Sequence, residues 1–254
     1  MLGSMTVIED WIVPDWPVAP QVRAVCTTRH GGVSRGPYAS MNPALHVGDD
    51  LAAVLANRKV LQQVLQMPAE PLWLEQVHGT TGLDAAEPVR AGEVPVADAA
   101  WCSQPGVVCA VLTADCLPVL LCDVTGRYVA ALHAGWRGLA AGVIEQTIDA
   151  MQQPGETLLA WLGPAIGPAA YQVGDEVRDA FLGHDKEAEA AFQSGPDGSW
   201  TADLYRLARQ RLAERGVTAI YGGYECSFTD AERFFSYRRE GVTGRMATLI
   251  WLDS

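Results

Sequence analysis

The sequence predicts an α+β domain, and three observations carry that expectation. Short apolar runs alternate with stretches of helical spacing along the chain. Two of the runs, 118–123 and 128–135, are separated by a few turn-prone residues and so form a hairpin. No linker and no internal repeat divides the 254 residues, so one domain with mixed or antiparallel sheets accounts for the whole length.

Taken in order, Met1–Ser4 (MLGS), ahead of Met5, reads as a cloning remnant and is set aside. The first sixteen residues have no charged start, long apolar run or small-residue cleavage site, which speaks against a signal peptide. Residues 22–28 (VRAVCTT) form a β-prone run that ends in a Gly-rich loop, TTRHGGVSRGPYASMN. Leu51, Val54, Leu55, Leu61 and Leu65 recur near helical spacing and predict an amphipathic helix. Residues 71–79 (PLWLEQVHG) read as a short strand leading to His78, and 80–105 read as irregular.

Three apolar runs follow, at 107–115, 118–123 and 128–135, and then Leu139, Val143, Ile144, Thr147, Ile148 and Met151 mark a second amphipathic helix. A strand at 158–164, helical stretches near 174–193 and 203–215, and strands near 218–221 and 248–252 complete the chain.

Composition limits the partners. The net charge is −12, and no basic cluster is longer than a short pair such as Arg238-Arg239. A nucleic-acid partner needs a basic stripe to neutralise phosphates, so none is expected. No stretch approaches the roughly 20 apolar residues that span a bilayer, so no membrane partner is expected either. Six cysteines without a CxxC pair read as reduced thiols, and the expected compartment is the cytoplasm.

The hairpin brings chemistry into view. If its turn centres between Val124 and Thr125, Cys116 faces His133, with Cβ atoms about 4.5–5.5 Å apart. A lone Cys or His in a buried strand is usually core. These two stand at strand ends, where sites are commonly built, and His78 stands at another. Two histidines and a cysteine would give a metal three protein ligands and one open position, the pattern of a catalytic zinc. Arg137, between two glycines before a helix, suits an anion or simply caps a turn. Arg29, with Ser40 and Asn42 downstream in its loop, likewise suits an anion or a sugar. FFSYRR (234–239) is either an aromatic strand with a basic end or part of a site, and His46 and His184 read as structural or surface residues.

Several of these segments occur together in one known family. TTRHGGVSRGPYASMN, HVGDD, NRKVL, WLEQVHG, TADCLPVLLCD, HAGWRGLAAGV, WLGPAIGP, FFSYRR and TGRMATLIWL resemble, in this order, motifs of the bacterial laccase-domain family, from about residue 21 to 253. The resemblance implies one catalytic domain over residues 1–254, a layered α/β/β/α-type sandwich likened to cysteine-hydrolase toxin domains. It also implies metal ligation by His78, Cys116 and His133. The activity implied is zinc-dependent purine nucleoside phosphorolysis: adenosine, inosine or methylthioadenosine reacts with phosphate to give base and ribose 1-phosphate. Adenosine deamination is a further implied activity. Arg137 and Arg29 are then the expected holders of phosphate.

Two other readings stay open. A copper-dependent polyphenol oxidase would suit the family's older label, but five histidines with no His-X-His cannot furnish a blue-copper site plus a trinuclear cluster. An amidase-like peptidoglycan editing hydrolase would use Cys116 as nucleophile with His133 as its base.

Overall fold

The computed structural model describes residues 10–90, 92–195 and 198–253. The expectation for Met1–Ser4 lies outside the described residues. Strands β1 (Val22–Cys26), β2 (Gly82–Asp84), β3 (Ala99–Cys102) and β4 (Val108–Thr113) are followed by β5 (Leu117–Asp123) and β6 (Val129–Ala134). Then come β7 (Leu158–Leu162), β8 (Gln172–Val173), β9 (Phe192–Ser194), β10 (Trp200–Ala202), β11 (Ala219–Gly222) and β12 (Met246–Leu252). The α-helices are α1 (Leu51–Val64), α2 (Trp136–Ala141), α3 (Val143–Met151), α4 (Asp175–Leu182), α5 (Leu204–Glu214) and α6 (Tyr237–Glu240).

Two sheets stack face to face. The larger is mixed, in the order β11-β7-β5-β6-β3-β2, with parallel pairs only at its two edges. The smaller is antiparallel, in the order β1-β12-β4. A third small sheet, β8-β10-β9, flanks the helices of the C-terminal half.

Alternation along the strands produces the layers. Leu117, Val119 and Leu121 of β5 face the helices and pack with Val143, Ile144 and Ile148 of α3 and with Leu207, Ala208 and Leu212 of α5. Leu120 and Cys122 face the other way, against Cys109 and Val111 of β4 and Ile250 of β12. The far side of the small sheet, Ala110, Leu249 and Trp251, packs on Leu61 of α1. The order is therefore helices, large sheet, small sheet, helix, the α/β/β/α arrangement expected, within a mixed α/β domain. All six thiols are free, and four of them are buried in the apolar layers.

Four expectations need correction. The hairpin pairs Pro118 with His133 and Leu117 with Ala134, two residues away from the register read from the sequence. The cause is a four-residue loop, 124–127, in which the Asp123 carboxylate accepts the backbone N–H groups of Arg127 and Tyr128. A shift of two restores the same face, so Cys116 and His133 stay neighbours. Residues 71–79 form no strand; they make only isolated bridges at Leu72 and Glu75. The stretch 80–105 contains β2 and β3. The expected helix over 139–151 is two helices, broken at Gly142, which has φ of 98°.

The amphipathic reading of α1 holds for Val54 and Leu61, whereas Leu51 and Leu55 face solvent. The stretch 174–193 holds α4, a 3₁₀ segment over Lys186–Ala191 and the start of β9.

Leu120 is fully buried between the two sheets. Leu120→Ala should lower unfolding stability by about 2–5 kcal/mol in chemical denaturation, the range for a buried leucine whose site collapses only in part.

Candidate metal centre

The residues singled out from three strand ends converge. One donor atom each from His78, Cys116 and His133 lies within 4.8 Å of the others. Cys116 Sγ is 3.7 Å from His78 Nε2, and the two imidazoles meet edge to face with centroids 4.8 Å apart. A tetrahedral zinc with bonds of about 2.3 Å to sulfur and about 2.0 Å to nitrogen separates such ligands by roughly 3.5 Å, so the donor set fits.

Each ligand owes its place to local chain geometry. His133 is near the end of β6, on the face that looks toward the small sheet. Cys116 directly precedes β5, after Asp115, whose φ of 92° is left-handed. Asp115 is held there by three contacts. Its carboxylate accepts from Ser227 Oγ (2.6 Å) and from the Arg238 backbone N–H (2.7 Å), and its carbonyl accepts from the Ile166 N–H (3.0 Å). His78 also has positive φ (60°) and projects from a loop.

That loop is pinned by Asp98, a residue that sequence reasoning missed. The fully buried Asp98 carboxylate accepts the backbone N–H groups of Val77 (3.2 Å), His78 (2.9 Å) and Gly79 (2.6 Å). It also accepts from His133 Nδ1 at 2.7 Å, while its carbonyl accepts the His133 N–H at 2.7 Å. Nδ1 therefore donates to Asp98, which leaves Nε2 as the ring nitrogen that faces a metal. The only signal in the sequence was a lone acid inside an irregular stretch, VPVADAAW.

Charge is strongly coupled here. Burial pushes the Cys116 thiol up, but the adjacent His133, by charge and by hydrogen bond, and His78 behind it pull it down to about 6. Burial pulls His133 down, yet the Cys116 thiolate and the Asp98 carboxylate raise it to about 9. Burial raises the Asp98 carboxyl, and the bonds from His133 and the loop amides outweigh that and hold it below the usual range. The thiolate is the form a metal takes up, whereas His133 must give up its Nε2 proton when a metal binds.

The glycines of HAGWRG are required by close approach. A Cβ on Gly135 would stand 2.8 Å from His78 Cδ2 and 3.0 Å from Cys116 Sγ, and one on Gly138 would stand 2.6 Å from the Gly79 carbonyl oxygen. Helix α2 can abut the His78 loop only where side chains are missing.

The cluster opens into a cleft of about 440 Å³. Leu112, Thr113, Ala114, Tyr237, Arg245 and His46 line it together with Gln76 and the three donors. His46 is thus part of the site and not a bystander. Burial, then Arg245, Arg58 and His133, lower its pKa and so favour the neutral ring.

The two arginines expected to hold phosphate are placed differently. Arg29 donates from Nε to the Ala39 carbonyl (3.2 Å) and from Nη1 to the Ala231 carbonyl (2.9 Å) and Glu240 (3.0 Å). Its guanidinium is engaged in bracing the loop and does not line the cleft. Ser40 and Asn42 are engaged as well: Ser40 Oγ donates to the Arg29 carbonyl, and Asn42 Nδ2 to Asp49. Arg137 is exposed and stacks on the Trp136 ring (4.4 Å), outside the residues that line the cleft. FFSYRR forms no strand. Phe234 and Phe235 are buried, and α6 then presents Tyr237 to the cleft.

The chain can now be set beside known proteins. Residues 23–253 match the family described as "Multi-copper polyphenol oxidoreductase laccase". The chain belongs to this family. A Pseudomonas aeruginosa protein named "purine nucleoside phosphorylase" is 55% identical over 244 residues, 96% of this chain and 98% of that protein. The Escherichia coli "purine nucleoside phosphorylase YfiH" is 53% identical over 95% of this chain and 98% of its own. A crystal structure of a Neisseria meningitidis protein superposes with a TM-score of 0.93 at 49% identity, covering 97% of this chain and 100% of that one. YlmD from Geobacillus stearothermophilus superposes with a TM-score of 0.84 at 31% identity over 94% of both chains. Among the described residues no helix is long and apolar enough to cross a membrane.

Asp98→Asn should keep the cysteine and both histidines but loosen their orientation. Zinc affinity, measured by competition with a chromogenic chelator, should fall about 10–100-fold, the usual cost of losing a carboxylate behind a ligand histidine. Gly135→Ala should also weaken zinc binding, because the added Cβ displaces His78 or Cys116.

Proposed function

We propose that this chain is a zinc-dependent purine nucleoside phosphorylase that cleaves adenosine, inosine and methylthioadenosine with phosphate. The observation that carries the reading is the His78–Cys116–His133 donor set opening into a cleft of nucleoside size. Identity of 53–55% to proteins named for this activity supports it.

In the reaction a phosphate oxygen bonds to C1′ of the ribose as the bond from C1′ to the purine nitrogen breaks. The electron pair leaves with the base, which takes up a proton. Bound zinc would supply Lewis acidity for a reactant oxygen. His133 and His78 hold Cys116 in the thiolate form, and Asp98 keeps the His133 proton on Nδ1. Leu112 and Ala114 give the cleft an apolar wall, and the Tyr237 ring offers the purine an aromatic surface. Arg29 is left out of the proposed phosphate site because its donors are already engaged. Arg137, exposed and stacked on Trp136, is retained as a second candidate for phosphate.

The low thiol pKa also favours a second reading, with Cys116 as nucleophile of an amide hydrolysis. The oxidase reading is weaker. Besides the two ligand histidines and His46, the remaining histidines lie at the surface, His30 against Asp10 and His184 against Glu214. They cannot assemble a second copper cluster.

Elemental analysis of the purified protein should give one zinc per chain, and adenosine should release adenine only when phosphate is present. Cys116→Ala should lose both the metal and at least 100-fold in kcat/KM. Inosine formed from adenosine without phosphate would reassign the site to deamination. Full activity in a metal-free Cys116→Ala protein would sink the metal-site reading altogether.

A further inference from the structure

Phosphorolysis needs a cation for phosphate close to the metal. Of the two arginines read from the sequence, Arg29 is engaged in its loop and Arg137 stacks on Trp136 outside the cleft lining. The cleft contains another. Arg245 directly precedes β12, and the β12–β4 register pairs Met246 with Thr113. Carried one residue further, that register sets Arg245 beside Ala114, two residues before the ligand Cys116. The Arg245 backbone N–H donates to Asn42 Oδ1 (3.1 Å), so the Gly-rich loop holds the start of the strand in place.

The Arg245 side chain is half-buried and makes no direct ion pair among the described residues. Its Nη1 donates to the carbonyls of Thr243 (3.0 Å) and Gly244 (2.9 Å), and among the described residues no carboxylate lies within ion-pair distance. By contrast, Arg29, Arg211, Arg233 and Arg239 each pair with an acid. Burial lowers the Arg245 pKa, and the charges of Cys116 and Asp115 nearby offset that only in part. A buried charge without a partner is costly, and an oxyanion that accepts two N–H groups of one guanidinium removes that cost. The two carbonyls fix Nη1, leaving Nε and Nη2 to offer that fork. The Thr113 hydroxyl in the same wall is buried and has no hydrogen-bond partner among the described residues. His46 lines the same cleft beside Arg245, which helps to lower its pKa.

We infer that Arg245, with Thr113 and His46 beside it, forms the phosphate subsite of the cleft, in place of Arg29 and ahead of Arg137. This inference rests on the phosphorylase reading for its substrate and on the unpaired guanidinium for its place.

The test uses zinc-loaded full-length protein and inorganic phosphate. Arg245→Gln should raise the KM for phosphate at least tenfold while the KM for adenosine stays within twofold. Arg245→Lys, which keeps the charge but loses the fork, should recover part of the loss. Calorimetric titration with phosphate alone should show the same loss of affinity, and far-UV circular dichroism with thermal melting should confirm that each variant is folded. The inference is overturned if Arg245→Gln leaves phosphate affinity within twofold of the parent, or if Arg137→Gln carries the loss instead. A parent protein that binds phosphate through Arg245 but turns over no nucleoside would overturn the phosphorylase reading and leave the subsite standing. A parent protein that binds no phosphate by either measurement overturns both.

Discussion

The site depends on one buried carboxylate. Asp98 accepts hydrogen bonds from three consecutive loop amides around His78 and from the ring of His133, while its own carbonyl holds the backbone of His133. A loop residue with positive φ and a strand residue are thereby locked to the same pair of oxygens. Ordering two histidines separately would cost side-chain and backbone entropy at each position. Here a single negative charge orders both and leaves each with a nitrogen aimed at Cys116. The low pKa of the thiol and the raised pKa of His133 follow from that geometry, since neither group can move away from the other.

Around this carboxylate the fold works by close approach. Gly135 and Gly138 let α2 lie against the His78 loop, and Asp115 gathers the segment before β5, the 225–229 stretch and the start of α6 into one junction. The Gly-rich loop acts at a distance. Asn57 donates to Ser34 Oγ and to the carbonyls of Ser40 and Asn42 and accepts from Val33, so the loop is wired to α1, and Asn42 passes the constraint on to β12. Polar residues that look suited to a ligand in the sequence serve here as struts.

Much of the architecture was legible because long apolar runs and helical spacing are strong signals. The runs at 107–115, 118–123 and 128–135 became β4, β5 and β6, and the three donor residues read from segment ends lie together in the structure. The hairpin register was wrong by two residues, because the side-chain cap by Asp123 lengthens the loop and leaves no periodic trace. β2 and β3 were missed since three or four residues are too few to show alternation, and Asp98 sits at the edge of that stretch. His46 and Arg245 were not read as site residues for another reason. Nothing near them in sequence marks them, and only the pairing of β12 with β4 and the folding back of the 29–49 loop bring them to the cleft.

The order of the small sheet, β1-β12-β4, has a consequence for how the protein is made. Its middle strand is built from residues 246–252, so β1 and β4 have no neighbour to pair with until nearly all the preceding chain has been synthesised. The large sheet draws its strands from earlier in the chain and can form first, with one apolar face open to water. Closure of the second layer is then a late and long-range event, of the kind that slows folding. Both the Thr113–Ala114 wall and Arg245 come into place only at that moment, so a nascent chain can hold the three ligand residues before it has a cleft around them.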